Sequence, residues 1–225
     1  MVDMEVKIRP FGYGQVLEVE MGEGDSIYAE PGAFMACDGE VELESKLRGG
    51  FISSILRKIG GKETMFISKI TAKEGSTMLL TPPLPSEIAP IRLKGRAFIL
   101  GDGAYLAHEG EVDVSAEPGF LTSLVAGSGL MFLYAKGKGT LYINGEGGLH
   151  RAIVKKGESL LLDNDHFVAV NADANVEKLF IGKGLKSKLF GGEGLVFRIR
   201  GPAEVYYRLN SPSNMASKIA RKLRL

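Results

Sequence analysis

A glycine followed five residues later by a phenylalanine occurs three times in this chain, at nearly constant spacing. The copies end at Phe66, Phe132 and Phe197, which are 66 and 65 residues apart. Internal repetition at a fixed period is typical of proteins built from tandem copies of one supersecondary unit. The sequence therefore predicts three related units.

A second repeated element precedes each of these copies. Residues 24–30 (GDSIYAE) match residues 157–163 (GESLLLD) without a gap, and the AEPG of residues 29–32 returns at residues 116–119. This alignment places Gly110 of the middle copy opposite Gly24 and Gly157. It predicts that units one and three carry an insertion that the middle unit lacks.

Short apolar or alternating runs between glycine-rich turns predict β-strands throughout the chain. These runs are residues 15–20, 65–70, 77–80, 130–135, 140–143, 195–199 and 204–207. Hairpin turns are expected at Gly75, at the Gly137 and Gly139 pair, and at Gly201. The proline-rich segment TPPLPSEIAP (81–90) is predicted to be a linker between the first two units. The predicted fold class is all-β.

Composition restricts the function. The 28 basic and 27 acidic residues leave a net charge of +1, which argues against a protein that coats nucleic acid. The single cysteine, Cys37, cannot form an internal disulfide and is interpreted as a small buried residue in a reducing, cytoplasmic protein. The sequence contains no apolar run of the roughly 18 residues that a membrane span needs, so contact with a membrane would be peripheral.

Two amphipathic segments are candidate contacts with a membrane or a protein partner. The first, within residues 49–61, has apolar residues at helical spacing, namely Phe51, Ile52, Ile55, Leu56 and Ile59. The second, residues 211–225, is predicted to start a helix at 212–214 and to place Met215, Ile219 and Leu223 on one side. Its basic residues, which suit an anionic lipid surface, are Lys218, Arg221, Lys222 and Arg224. The alternative for both segments is that the apolar side covers the body of the protein.

The residues that usually carry chemistry are scattered. His108, His150 and His166 lie in different units, without the close spacing of a metal site. The DND of residues 163–165 lacks the glycine and distal glutamate of a calcium loop, and the glycine-rich strings near Gly137 and Gly191 precede no helical pattern. We therefore predict no catalytic, cofactor-binding or metal-binding residues, no cofactor, and no enzymatic activity.

The segments GLKSKLFGGEGLVFRIRGP (184–202), MACDGEVELES (35–45) and AEPG (29–32) resemble the altered-inheritance-of-mitochondria, or mitochondrial biogenesis, protein family. The resemblance covers nearly the full chain. It implies a fold similar to that of the tryptophan RNA-binding attenuation protein, with three tandem β-sandwich modules of the jelly-roll type, pseudo-threefold repetition and short helical insertions. It also implies that three chains close a ring, and it carries over no catalytic residue.

The expected domain organisation follows from the repeats and the resemblance. Module 1 comprises residues 1–88 with the amphipathic insertion at 49–61, module 2 residues 89–150, and module 3 residues 151–210. A basic amphipathic helix occupies residues 211–225. Tandem modules leave an open sheet edge at each end, and head-to-tail contacts between identical chains would cover both. A homotrimeric ring is therefore expected, the alternative being a monomer closed about its own pseudo-threefold axis.

The expected function is that of a non-enzymatic ring-forming scaffold or interaction protein, with a membrane surface or a further protein as partner. One alternative is a ring that binds single-stranded RNA, in which Lys69, Lys136 and Arg200 would contact the strand. The near-neutral charge makes nucleic acid an unfavoured partner. The other alternative is an enzyme or small-ligand binder with an unrecognised site.

Overall fold

The computed structural model describes residues 4–47, 66–116, 132–180 and 195–223. These ranges form seventeen β-strands arranged in antiparallel sheets, and one α-helix near the carboxyl end. The predicted all-β fold class is confirmed.

In the first stretch, residues 4–80, the described residues form seven strands. They are β1 (Glu5–Phe11), β2 (Gly14–Met21), β3 (Ser26–Ala29), β4 (Phe34–Cys37), β5 (Val41–Leu47), β6 (Phe66–Ala72) and β7 (Ser76–Leu80). Strand β7 lies between β2 and β4, and β1 extends this sheet beyond β2. Strand β6 lies between β3 and β5.

In the second stretch, residues 86–146, the described residues form two short and two long strands. They are β8 (Ser86–Arg92), β9 (Ala97–Leu100), β10 (Tyr105–Ala116) and β11 (Leu133–Glu146). Strand β10 pairs along its whole length with residues 133–143 of β11. Strand β9 pairs with the first part of β11, and β8 pairs with its last part.

In the third stretch, residues 149–223, the described residues form six strands and the helix. They are β12 (Leu149–Val154), β13 (Ser159–Asp163), β14 (Phe167–Asn171), β15 (Asn175–Phe180), β16 (Leu195–Arg200), β17 (Ala203–Arg208) and α1 (Pro212–Leu223). Strand β17 lies between β12 and β14, and β16 lies between β13 and β15. A 3-10 turn, Asn164–His166, joins β13 to β14.

Each stretch is joined to the next through a sheet and a shared core. Strand β10 pairs with β3, and β14 pairs with β9. Leu106 of β10 is fully buried in a core cluster with Leu17 and Leu80 of the first stretch. Val168 of β14 is likewise buried with Leu100 of the second stretch. The core of one stretch is therefore completed by a side chain of the stretch that follows it.

The predicted alignment of the middle copy was wrong. Gly24, Gly95 and Gly157 have φ of 85°, 86° and 88°, and each lies two residues ahead of a short strand. This left-handed conformation favours glycine. Gly110 lies instead inside β10. Residues 117–131 fall between β10 and β11, just as 48–65 and 181–194 fall between paired strands, so the middle unit does have an intervening segment.

Two local predictions were also wrong. The expected linker 81–90 is shorter than predicted, because β8 begins at Ser86 and Pro90 pairs with Tyr142. The expected turn at Gly137 and Gly139 is absent, since both residues lie inside the continuous strand β11. A Cβ atom on either residue would lie within 2.1 Å of a carbonyl oxygen of β10, so these glycines allow the two strands to approach closely.

Candidate functional site

The carboxyl-terminal helix is attached to the body by its first turn. Helix α1 begins at Pro212, which confirms the predicted start. The backbone N–H of Asn214 donates to the hydroxyl of Ser211 at 3.1 Å, which caps the helix. The hydroxyls of Ser211 and Ser213 both donate to the carboxylate of Asp165. The helix is therefore fixed to the turn between β13 and β14.

The apolar side of this helix is open to solvent. Met215, Ile219 and Leu223 are all exposed. With Leu209 and His166 they line a groove of about 560 Å³. The predicted basic contacts Lys218, Arg221 and Lys222 are exposed as well. The structure thus brings the apolar and basic residues together on one accessible element, and none of the described residues covers its apolar side.

The other predicted contact residues lie outside the described residues. They are Phe51, Ile52, Ile55, Leu56 and Ile59, in the interval between β5 and β6, and Arg224 after the helix. Their proposed roles stay predictions.

A second surface is the outer edge of β4. Strands β4, β10 and β14 each contain a β-bulge between the first and third residue. Phe34 and Met35, the first two residues of β4, are 37% and 43% exposed. The corresponding residues of β10 and β14 are at most 4% exposed, and these are Tyr105, Leu106, Phe167 and Val168. The difference arises because β3 and β9 cover β10 and β14, whereas β4 pairs with β7 alone among the described strands.

A third surface is the outer edge of β13. Strands β3 and β9 have hydrogen-bonded neighbours on both sides, but β13 pairs with β16 alone among the strands that the structure describes. Leu161 of β13 is 55% exposed. It lies at a groove of about 510 Å³ whose apolar and aromatic lining includes Leu149, His150, Leu162, His166, Tyr207 and Leu209. The charged residues Glu87, Asp163 and Arg208 also contribute to the lining. Among the described strands, β4 in the first stretch and β13 in the third thus each end a sheet and leave an open strand edge.

A buried ion pair lies where the second and third stretches meet. A guanidinium nitrogen of Arg208 donates to the carboxylate of Glu146 at 2.9 Å, and each side chain is 7% exposed. The Nε of Arg208 donates to the carbonyl oxygen of Asp165 at 3.0 Å, and its terminal nitrogens lie 3.4 Å from the carbonyl oxygen of Asp102. One side chain therefore ties two turns and the end of β11 together.

Glu30 lies beside this ion pair. Burial, and then the negative charges of Asp102 and Glu146, raise the pKa of Glu30 from 4.5 to about 7. In the sequence, Glu30 stands out only as a member of the AEPG repeat. The residues that meet here are far apart in sequence, so their spacing does not predict that they come together. They are Glu30, Asp102, Glu146 and Arg208.

The histidines and the cysteine have local environments of their own. The ring of His108 is buried and stacks on Tyr28 at 4.8 Å. The Nδ1 of His166 donates to the carbonyl oxygen of Arg208 at 2.9 Å. Within the described ranges, no three His, Cys, Asp or Glu side chains gather in a group that could hold a metal ion. Cys37 is half-buried on β4 and packs against the core cluster of the first stretch, so it is less buried than the sequence interpretation expected.

The residues considered for RNA binding are not arranged alike. The repeated phenylalanines Phe132 and Phe197 are buried and pack with Phe167, so they are core residues. Lys136 and Arg200 lie opposite the first residue of β9 and of β13, whereas Lys69 lies opposite the third residue of β3. Within the described residues, the buried rings are unavailable for stacking on bases.

The sequence profile of the family described as mitochondrial biogenesis AIM24 matches residues 11–208. The chain belongs to this family. The predicted family resemblance is thereby confirmed, while the likeness to the tryptophan RNA-binding attenuation protein stays a prediction.

Two bacterial proteins show how far this AIM24-family chain resembles known relatives. An uncharacterised protein of Streptococcus pyogenes serotype M6 is 28% identical over 162 residues, which cover 68% of this chain and 65% of the relative, so the match spans less than two thirds of the relative's length. A crystal structure of a protein from Streptococcus pyogenes has a TM-score of 0.79 at 26% identity, and the match covers 97% of this chain and 99% of the other. Among the described residues, no helix has the length and apolar character needed to cross a membrane.

Proposed function

We propose that this AIM24-family chain is a non-enzymatic scaffold that assembles head to tail into a closed homotrimeric ring. Each chain would contribute three tandem β-sandwich modules of the kind found in the tryptophan RNA-binding attenuation protein. The order of strand pairing supports this organisation. In the proposed first module the strands pair in the orders β2–β7–β4 and β3–β6–β5, and in the second in the orders β8–β11–β10 and β9–β11–β10. In the third they pair in the orders β12–β17–β14 and β13–β16–β15. Strands β8 and β12 begin within three residues of the proposed boundaries at 89 and 151.

The observation that carries the proposal is the exposure of β4. Its counterparts β10 and β14 are buried because each lies against the short strand of the preceding module. The strand that would cover β4 in the same way is β13, whose outer edge is open. Pairing β13 of one copy with β4 of the next covers the open edges of these two strands, and a head-to-tail contact of this kind generates a ring when the rotation closes.

The arrangement within the chain favours contact between copies. A monomer closed about its own axis would pair β4 with β13 of the same chain. In the described residues these two strands end separate sheets. Three copies per ring follow from the family resemblance.

Light scattering on the purified chain tests the assembly. The expected mass at micromolar concentration is three times the 24.2 kDa of one chain, and a monomer would reject the ring. Leu161→Asp should lower the mass, because it places a charge at the pairing edge. Ile153→Asp is the matched control, since Ile153 is 56% exposed against 55% for Leu161 but lies on β12. Equal masses for the two variants would argue against β13 as the contact.

We further propose that the ring contacts an anionic membrane surface through helix α1, in a cytoplasmic setting. The specific observation is the exposed apolar side of the helix beside Lys218, Arg221 and Lys222, with no acidic residue between Pro212 and Leu223. Such a helix can bury its apolar side at the headgroup boundary while its basic residues meet anionic lipids.

Vesicle sedimentation tests this contact. The chain should sediment with vesicles containing phosphatidylserine and not with neutral phosphatidylcholine vesicles. Ile219→Asp and removal of residues 211–225 should each reduce sedimentation, while Ile153→Asp should not. Undiminished sedimentation of both helix variants would dismiss the helix as the membrane contact.

A further inference from the structure

The second residue of β4 corresponds to two residues that complete the core of a neighbouring module. Leu106 and Val168 occupy this position in β10 and β14, and both are fully buried. Leu106 belongs to the core cluster of the first stretch, and Val168 to that of the second. Met35 occupies the position in β4 and is exposed.

The side chains that receive Leu106 and Val168 have direct counterparts in the third stretch. The core around Leu106 contains Leu17, Ala29, Ala33 and Leu80. The core around Val168 contains Leu100, Ala104 and Ile143, with Ala89 packed against it. Strand pairing relates these positions, because Leu17 faces Leu80, Ala89 faces Ile143, and His150 faces Tyr207.

The counterparts in the third stretch are His150, Leu162, His166 and Tyr207, and all four line the 510 Å³ groove beside β13. The groove is therefore the position at which the other two modules each hold an apolar side chain from the next module. We infer that Met35 of one copy inserts into this groove of the adjoining copy and is the main apolar contact between them. This inference rests on the proposed ring.

The existing junctions also fix the strand register of this contact. Ala29 pairs with Ala107, and Leu100 pairs with Ala169. The corresponding register sets Leu162 of one copy opposite Ala36 of the next, and Leu161 opposite Cys37. Met35 then lies directly beside Ala36 at the groove.

The chemistry of the groove suits methionine. It carries two histidines and a tyrosine where the first module has alanine and leucine. An unbranched, flexible thioether side chain adapts to an irregular pocket of this kind and makes favourable contacts with aromatic rings. A branched residue such as Val168 fits a pocket formed by smaller side chains.

Sedimentation over a concentration series tests the insertion. Met35→Ala is expected to weaken association between copies by roughly 10- to 100-fold, the factor that burial of a methionine side chain provides. Met35→Asp and, from the groove side, Leu209→Asp should leave monomers. Both residues are exposed in the single chain, so neither variant removes a contact that the fold needs. Tyr13→Asp is the control, because Tyr13 is fully exposed at the far side of the same sheet.

The outcomes separate this inference from the proposed function. A trimeric wild type with monomeric Met35→Asp and Leu209→Asp supports the insertion. A trimeric wild type whose Met35→Asp variant associates as tightly as the Tyr13→Asp control overturns the insertion and leaves the ring intact. A monomeric wild type overturns both.

Discussion

Replacement of Arg208 by methionine should be strongly destabilising. Arg208 is buried, and its guanidinium group reaches the carboxylate of Glu146 and the carbonyl oxygens of Asp102 and Asp165. Methionine keeps much of the side-chain length but supplies no donor. The variant would therefore leave the Glu146 carboxylate buried without its cationic partner.

The magnitude follows from the burial of the pair. Removal of one member of a buried ion pair costs about 3–5 kcal/mol, because the remaining charge is left uncompensated. Removal of both members is far less costly, since apolar side chains of similar shape can fill the space. Arg208→Met is thus expected to lower the free energy of unfolding by about 3–5 kcal/mol. The Glu146→Leu, Arg208→Met double variant should recover most of that loss.

Urea unfolding followed by circular dichroism, at one fixed chain concentration and pH 7.5, measures these differences. Arg200→Met is the control, because Arg200 pairs with Glu177 at the surface and solvent screens that pair. A loss below about 1 kcal/mol for Arg208→Met, or a double variant as unstable as the single one, would refute the assignment of this pair as a buried, coupled unit.

Two further predictions concern Glu30 and Gly137. Because the pKa of Glu30 is about 7 in the folded chain and lower in the unfolded chain, the unfolded state loses this proton first, and Glu30 lowers stability progressively as the pH rises from about 4.5 to 7. Glu30→Gln should therefore raise the urea concentration at the unfolding midpoint at pH 8 and leave it unchanged at pH 4. An equal effect of the substitution at both pH values would contradict this prediction. Gly137→Ala should cost about 2 kcal/mol or more in urea unfolding, because its Cβ would lie 2.0 Å from the carbonyl oxygen of Glu111, and a neutral effect would contradict the close approach of β10 and β11.

The strands and the helix were largely predictable from the sequence. Alternation of apolar residues between glycine-rich turns located β2, β7, β16 and β17, and the proline at position 212 located the start of α1. These features depend on short-range patterns, which the sequence displays directly.

The predicted alignment of the middle unit was wrong because it relied on the identical AEPG motifs at residues 29–32 and 116–119. The AEPG of residues 29–32 begins at the end of the short strand β3, whereas its copy begins at the end of the long strand β10. The feature that the three units do share is a left-handed glycine two residues ahead of the short strand. In the middle unit, Gly95 meets this requirement without any repeated motif around it.

The candidate surfaces and the buried junction were less accessible to sequence reasoning. The exposure of Met35 and Leu161 depends on which strands lie next to β4 and β13, and that is a property of the sheet order. The ion pair of Arg208 and Glu146 joins residues from different modules. Neither feature leaves a local pattern in the sequence.

Disulfide trapping tests the proposed ring most directly. Cys37 is the single cysteine of the chain, and the proposed register places it opposite Leu161 of the next copy. Mild oxidation of the Leu161→Cys variant should give chains linked to one another, with covalent trimers on a non-reducing denaturing gel, while Ile153→Cys gives none. A disulfide confined to single chains would show that each chain closes on itself, and no disulfide at all would contradict the pairing of β4 with β13.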